Sequence, residues 1–226
     1  RNETEEEFIS AIKETIEGDG GKVLIPAFAV ARAQEILCIL EKHGVDSPIT
    51  IDGMVRAASK IFLRNPGFVR DYSLLRRALE RARWVHGRKD KEKALSDPGI
   101  IIASAGMLEG GAAVGYLNAL SQDPKNGIFL VSFQIPGTTG RNLIETGTYV
   151  SREGEKRKAK SKVKFFDFSS HCGKSELWEI LKRLNTSTKV YVVHGEEQNC
   201  ISLSDRINNE LGSPAIAPNN GDNHEL

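Results

Sequence analysis

The chain alternates short, wholly apolar runs with longer stretches in which apolar residues recur every three or four positions. The first kind reads as buried strands and the second as amphipathic helices. Phe8, Ile9, Ile12 and Ile16 share one face of a helix over residues 2–17, with Glu5–Glu7 near its amino end, where the dipole favours acids. Gly18, Gly20 and Gly21 end it. Lys22–Pro26 predicts a strand, and Val30–His43 a helix that turns Ala33, Ile36, Leu37 and Leu40 inward and stops at Gly44. A strand over Ile49–Asp52, helices over 54–64 and 72–83, a strand over Gly99–Ser104, a helix over Gly111–Gln122 and a strand over Asn126–Val131 follow. The helix at 72–83 carries Leu74, Leu75, Ala78, Leu79 and Ala82. Strands separated by helices and short loops predict an α/β fold, a Rossmann-like parallel sheet flanked by helices on both faces.

The pattern changes after Gly147. Lys158, Lys160, Lys162 and Lys164 alternate strictly with Ala159, Ser161, Val163 and Phe165, the signature of a half-buried strand in an antiparallel or mixed sheet. A domain boundary is therefore expected near residue 160, giving domains at 1–160 and 161–226. Beyond it come a helix with Leu177, Ile180, Leu181 and Leu184, a strand over Lys189–Val193, and a helix to about Leu211.

Composition narrows the classes. The 226 residues suffice for one large or two small cores, and 39% apolar with 27% charged content is ordinary for a globular protein. A formal net charge of +1 exerts no global pull on nucleic acid or membrane, so polyanion binding must come from a local patch. Cys38, Cys172 and Cys200 form no CxxC pair, which points to a reducing, cytoplasmic setting. No apolar run approaches the roughly 20 residues that span a bilayer. The chain opens on Arg1, so it is expected to be a processed product or a piece of something longer.

Two histidines stand where apolar runs stop: His171 in FFDFSSHCGKSEL and His194 in VYVVHGEEQN. Such positions are the carboxyl ends of strands, where open α/β sheets keep their chemistry. The His194 imidazole suits a metal ligand or an acid/base group, or equally a structural cap on the next helix, while the hydroxyls and helix-opening amides around His171 favour an anion nearby. Cys172 beside His171 raises a thiol–imidazole pair, but neighbours on a strand point to opposite faces. Three loops also follow strands. Ser104–Gly111 could form a nest of amides for a phosphate, although it lacks the lysine of a Walker loop. Gln134–Arg141 is a second, and Pro26–Arg32 a third, with Arg32 in the first helical turn, where a cation opposes the dipole and calls for a partner or a carboxylate. Singly, each could be an ordinary tight turn. The lysine ladder, with Arg152, Lys156 and Arg157 before it, reads as a solvated face or a track for a nucleic-acid backbone. His43 suits a helix-dipole partner, and His86 and His224 lie in no pattern.

Taken together, these segments resemble the β-CASP branch of the metallo-β-lactamase nucleases, which includes the cleavage and polyadenylation specificity factor nucleases and the J-type ribonucleases. Lys22–Glu35 looks like the family's first β-CASP strand and helix, Ser104–Gly111 its S-x-G-M-x-x-G-G loop, and Gln134–Arg141 its P-G-T-x-G-R segment. Phe168–His171 resembles its second β-CASP motif and Val193–Glu196 its third. The flavour is closest to archaeal members. Two positions depart from the pattern: Gly173 stands where an Asp is common, and Ala31 where a Gly precedes the helix arginine, a change expected to be a packing variant.

The resemblance implies a β-CASP domain over 1–160 and a C-terminal portion of a metallo-β-lactamase αββα fold over 161–226. It implies a whole enzyme that uses two zinc ions to hydrolyse RNA, endonucleolytically or from the 5′ end, in mRNA 3′-end processing or RNA decay. His194 would ligate one zinc and, in place of a Val, favours RNA over DNA. His171 would be the catalytic acid or charge stabiliser at the scissile phosphate. Arg32, Ser104, Gly106, Met107, Gly137, Thr138, Gly140 and Arg141 would line the RNA-binding cleft. The family's H-x-H-x-D-H zinc cluster is absent from this sequence, so the chain alone is expected to be inactive, with an incomplete metal site. A homodimer, with the tail 219–226 at its interface, and membership of an RNA-processing complex are also implied. The alternatives are a non-catalytic RNA-binding scaffold and an unrelated Rossmann-like small-molecule enzyme.

Overall fold

The computed structural model describes residues 1–151, 154–168 and 172–224. The chain divides into two compact units, Arg1–Ser169 and Ser170–Leu226.

The first unit is built on a six-stranded sheet whose pairings are all parallel. Its strands are β1 (Lys22–Pro26), β2 (Ile49–Asp52), β3 (Arg83–Trp84), β4 (Gly99–Ala103), β5 (Gly127–Leu130) and β8 (Lys162–Phe165), in the order β3-β2-β4-β1-β5-β8. The pleat sorts the continuous apolar runs onto two faces. Val23, Ile25, Ile49, Ile51, Ile100, Ile102 and Phe129 face one core, covered by α1 (Asn2–Lys13), α2 (Arg32–Lys42), α3 (Met54–Arg64) and α4 (Tyr72–Arg81). Leu24, Ile101, Ala103, Ile128 and Leu130 face the other, under α5 (Arg88–Ser96), α6 (Gly111–Leu120) and α7 (Thr139–Thr146). Both faces are covered, which is why these strands read as unbroken apolar runs.

The periodic helices match the expected positions closely: Ala33, Ile36, Leu37 and Leu40 of α2 are fully buried. The elements that escaped the pattern are short or polar. β3 has two residues, and α5 (RKDKEKALS) offers only Ala94 as a fully buried anchor.

The lysine ladder folds differently from expectation. It is broken at Ala159–Ser161, where the Lys160 and Ser161 amides both donate to the Ser121 carbonyl. The first part, β7 (Lys156–Lys158), pairs antiparallel with β6 (Thr148–Val150). The second part is β8, which pairs parallel with β5 and so belongs to the main sheet. Hydrogen bonding to β5 therefore carries the first unit past residue 160. Lys162 is held by Glu14 at 2.9 Å and Asp19 at 2.6 Å, and Lys164 stands 3.9 Å from Glu14. Those two lysines are paired with acids at the end of α1 and just after it, not arrayed for a polyanion. Phe165 is exposed while Phe166 and Phe168 are buried against Phe8 of α1, on the same side of the strand as Lys162 and Lys164.

The second unit holds α8 (Lys174–Leu181), β9 (Val190–Tyr191), α9 (Glu197–Leu211) and β10 (Ala215–Ile216), with β9 and β10 parallel. Trp178, Leu181, Ile207 and Ala215 form its core, and the Arg206 guanidinium lies over the Trp178 ring at 3.7 Å. Within this unit Leu177, Ile180 and Leu184 of the expected inward face are exposed. Among the described residues no helix is long and apolar enough to cross a membrane.

Candidate functional site

The helices that follow β4 and β5 leave to one face of the sheet, and the helix that follows β1, between them, leaves to the other. That reversal opens a crevice at the carboxyl edge of β1, the position where open α/β sheets take their ligands. The three loops singled out by sequence meet there. Gln134, only 2% exposed, donates from Nε2 to the Gly106 carbonyl at 3.0 Å and to the Ser132 carbonyl at 2.7 Å. The Gly140 amide donates to the Met107 carbonyl at 3.0 Å, and Glu109 accepts from the Thr139 amide. A Cβ on Gly106 would lie 3.1 Å from the Phe28 amide of the third loop.

This packing distributes the expected RNA-binding residues unevenly. Ser104 is buried, and its Oγ accepts from the Met54 amide at 3.1 Å. Gly106 and Gly140 are buried beneath neighbouring loops. Gly137 is exposed, while Met107, Thr138 and Arg141 are half-buried. Thr138 caps α7, accepting from the Arg141 amide, and Arg141 pairs with Glu145 at 2.6 Å. Gly111, with φ +65°, lets the chain pass so close that a Cβ would sit 2.7 Å from the Ser104 carbonyl oxygen. Among the described residues the amides of Ala105, Gly106 and Met107 donate to no backbone carbonyl, so they remain available to an anion.

Arg32 finds the carboxylate its position called for. Its guanidinium bonds Glu35 and the Phe168 carbonyl, and Arg1 bonds the same two groups. Phe168 itself packs edge-on against Phe8, with centroids 5.2 Å apart, and Phe166 does so at 5.1 Å. Two cations and an aromatic cluster thus fix the chain immediately before Ser169, Ser170 and His171. His171, assigned the catalytic role, lies outside the described residues.

Ala31 is a backbone position rather than a packing variant. Its φ of +67° and ψ of −60°, with the Arg32 amide donating to the Val30 carbonyl at 2.9 Å, make a γ-turn that an L-residue enters under strain. The other non-glycine residues with positive φ among those described are Leu108 and His194. Each of the three lies in a strand-end segment that the motifs had marked.

His194 follows β9 by a short extension, in which the Val192 amide donates to the Ile216 carbonyl. The side chain is exposed and lines a cavity of about 350 Å³ with Val192, Glu197, Cys200 and Asn219. Gly195 lets the loop close on α9, since a Cβ there would meet Cys200 Sγ at 2.8 Å. Among the described residues no three His, Cys, Asp or Glu side chains converge on a metal position. A zinc centre needs at least three protein donors, so these residues do not by themselves fit one. Burial, aided by Asp71, Glu35 and Glu41, pushes the Cys38 thiol up to about 11, which removes it as a nucleophile.

Sequence reasoning missed a buried polar knot at the end of β2. Asp52 accepts from the Tyr116 hydroxyl at 3.0 Å and the Gly53 amide at 2.6 Å, and Lys91 stands 3.6 Å away. Burial, then the charge and hydrogen bond of Asp52, pushes the Tyr116 hydroxyl well above its usual range. The available signal was an acid ending a β-branched strand, Ile49-Thr50-Ile51. Gln134 stood inside a quoted motif, yet only its burial reveals that it ties the loops together.

Comparison with known proteins agrees with this architecture. The Beta-Casp domain matches residues 33–143, and the Zn-dependent metallo-hydrolase RNA specificity domain matches 156–218. RNase aCSPSF2 of Saccharolobus solfataricus is 41% identical over 98% of this chain and 44% of its own length. Probable RNase MJ4 of Methanocaldococcus jannaschii is 37% identical over 98% of this chain and 52% of its own. Transcription termination factor FttA of Pyrococcus horikoshii is 36% identical over all of this chain and 38% of its own. The chain thus spans about half the length, or less, of these relatives. Two domain matches in the order of the motifs, on a parallel α/β sheet whose loops meet at one edge, show that the chain belongs to the β-CASP family of metallo-β-lactamase nucleases.

Proposed function

We propose that this chain is the RNA-engaging part of a zinc-dependent ribonuclease, inactive by itself. The observation that carries the reading is the meeting of three motif loops at the crevice above β1, tied by Gln134. The free amides of 105–107 and the amino end of α6 would bind phosphate oxygens. Arg32 and Arg1 would act at one remove, holding the Phe168 carbonyl and hence the segment that delivers His171, proposed to serve the leaving group. His194 is proposed as a single metal ligand, with the remaining donors supplied from elsewhere in the whole polypeptide. Zinc would supply Lewis acidity there. The matched RNA specificity domain, and relatives named as RNases, support RNA as substrate.

The test uses a protein extended to the length of its relatives. It should cleave labelled RNA, and His194→Ala should abolish cleavage with a measurable fall in bound zinc. Unchanged cleavage and zinc content in that variant would sink the assignment. Chain 1–226 should bind RNA without cleaving it, and cleavage by it would refute the proposed inactivity.

A further inference from the structure

We propose that the outer face of α3 and the turn after it form a second RNA contact, a track for single-stranded RNA leading away from the loop crevice. This rests on the reading of the chain as RNA-engaging.

Residues 53–70 contain Arg56, Lys60, Arg64 and Arg70 and no Asp or Glu. Arg56, Lys60 and Arg64 recur every four positions and therefore share one ridge, about 12 Å long at 1.5 Å per residue. Val55, Ala58 and Ser59 occupy the buried side of the same helix. A helix face kept soluble by charge normally mixes signs, as α4 does: Arg76 pairs with Glu80, and Arg77 and Arg81 with Glu41. The α3 ridge does not. Arg56 stands 4.0 Å from Asp52, at the crevice end, and Lys60 lies 5.9 Å from the Trp84 ring centroid. Among the described residues no carboxylate lies within ion-pair distance of Lys60, Arg64 or Arg70.

Beside the cations runs an uncovered apolar line. Met54 is 67% exposed, Ile61 62% and Phe68 89%. Next to Lys60 is a groove of about 370 Å³ lined by Leu63, Tyr72, Leu79 and Trp84, with Arg76 and Glu80 on it. The Tyr72 hydroxyl donates to the Leu63 carbonyl at 3.2 Å and the Trp84 indole to the Leu79 carbonyl at 3.1 Å. Their polar atoms are thus tied back into the protein. Cations beside the exposed Phe68 ring and the half-buried Tyr72 and Trp84 suit a single strand, whose phosphates follow the charges while unpaired bases stack. A duplex hides its bases and would leave Phe68 unused. The ridge is continuous with the crevice, because α3 begins where Ser104 accepts the Met54 amide.

Binding of a fluorescein-labelled oligouridylate to chain 1–226, followed by anisotropy over a salt series, tests the track. Each phosphate contact on a single strand contributes about 0.7 to the slope of log affinity against log salt. Lys60→Gln with Arg64→Gln should therefore flatten the slope by about 1.4, which is about 25-fold in affinity at 0.1 M if the curves converge at 1 M. Phe68→Ser should weaken binding about tenfold with the slope unchanged. Thermal melts of both variants should match the parent, since the substituted side chains are exposed. If the parent binds and the double variant keeps its slope and affinity, the track is overturned while the crevice reading stands; an acidic protein as the true partner predicts that result. Equal weakening on duplex RNA overturns the single-strand assignment. A parent chain that binds no RNA sinks both readings.

Discussion

Gly140→Ala should destabilise this protein, against the ordinary rule for helices. Gly140 is the second residue of α7, and replacing glycine by alanine inside a helix usually gains about 0.5–1 kcal/mol. Here the new methyl would lie 1.8 Å from Gln134 Oε1 and 2.7 Å from its amide carbon. Gln134 is almost fully buried and cannot swing into solvent. It must give up its bonds to the Gly106 and Ser132 carbonyls, leaving both without that donor. At about 0.5–1.5 kcal/mol for each bond, the loss is about 1–3 kcal/mol and outweighs the helical gain. Gln134→Ala removes the obstacle, so Gly140→Ala in that background should become neutral or stabilising. Urea unfolding of the four proteins in this cycle should give a coupling of about 2 kcal/mol. If Gly140→Ala stabilises the parent chain, or costs the same in both backgrounds, Gln134 is not the tie between the loops. The single Gly140→Ala variant should also weaken RNA binding, because the loops it separates form the proposed phosphate site.

Other expectations follow from the same geometry. Ala31→Gly relieves a γ-turn strained by about 1–3 kcal/mol at an entropic cost of about 0.4–1 kcal/mol, so a gain of about 1 kcal/mol in urea unfolding is expected; a loss would show that the turn is not strained. Glu5 is opposed by its burial, but hydrogen bonds from Lys42, His43 and Arg1 and the charge of Lys42 prevail and hold it at about 2. A carboxyl lowered from 4.5 to about 2 stabilises the fold fully above pH 4.5 and loses that contribution as pH falls toward 2. At about 1.36 kcal/mol per tenfold change in proton affinity, the contribution is at most about 3 kcal/mol. The stability difference between the parent and Glu5→Gln should shrink across that window, and a constant difference would refute the assignment.

The sequence by itself determined the α/β class and the burial of the central strands on both faces. Continuous runs such as Val23-Leu24-Ile25 and Ile100-Ile101-Ile102 can be buried only on both faces, and the pleat then sends alternate side chains to opposite cores. It also marked the loops, because glycine-rich turns after such strands fall at one edge of a parallel sheet. Tertiary structure decided what local pattern could not encode. The alternation over 158–165 says nothing of partners, and pairing with β5 moved its second half into the main sheet. Motif membership marked Ser104, Gly106, Gly140 and Arg32 together, whereas only packing shows that Ser104, Gly140 and Arg32 also brace the neighbouring segments. Ala31 looked interchangeable with glycine until its φ was known. The uncompensated Lys60 and Arg64 of α3 stood out only once Arg76, Arg77 and Arg81 of α4 were seen to have their acids, since pairing is a property of distances and not of sequence.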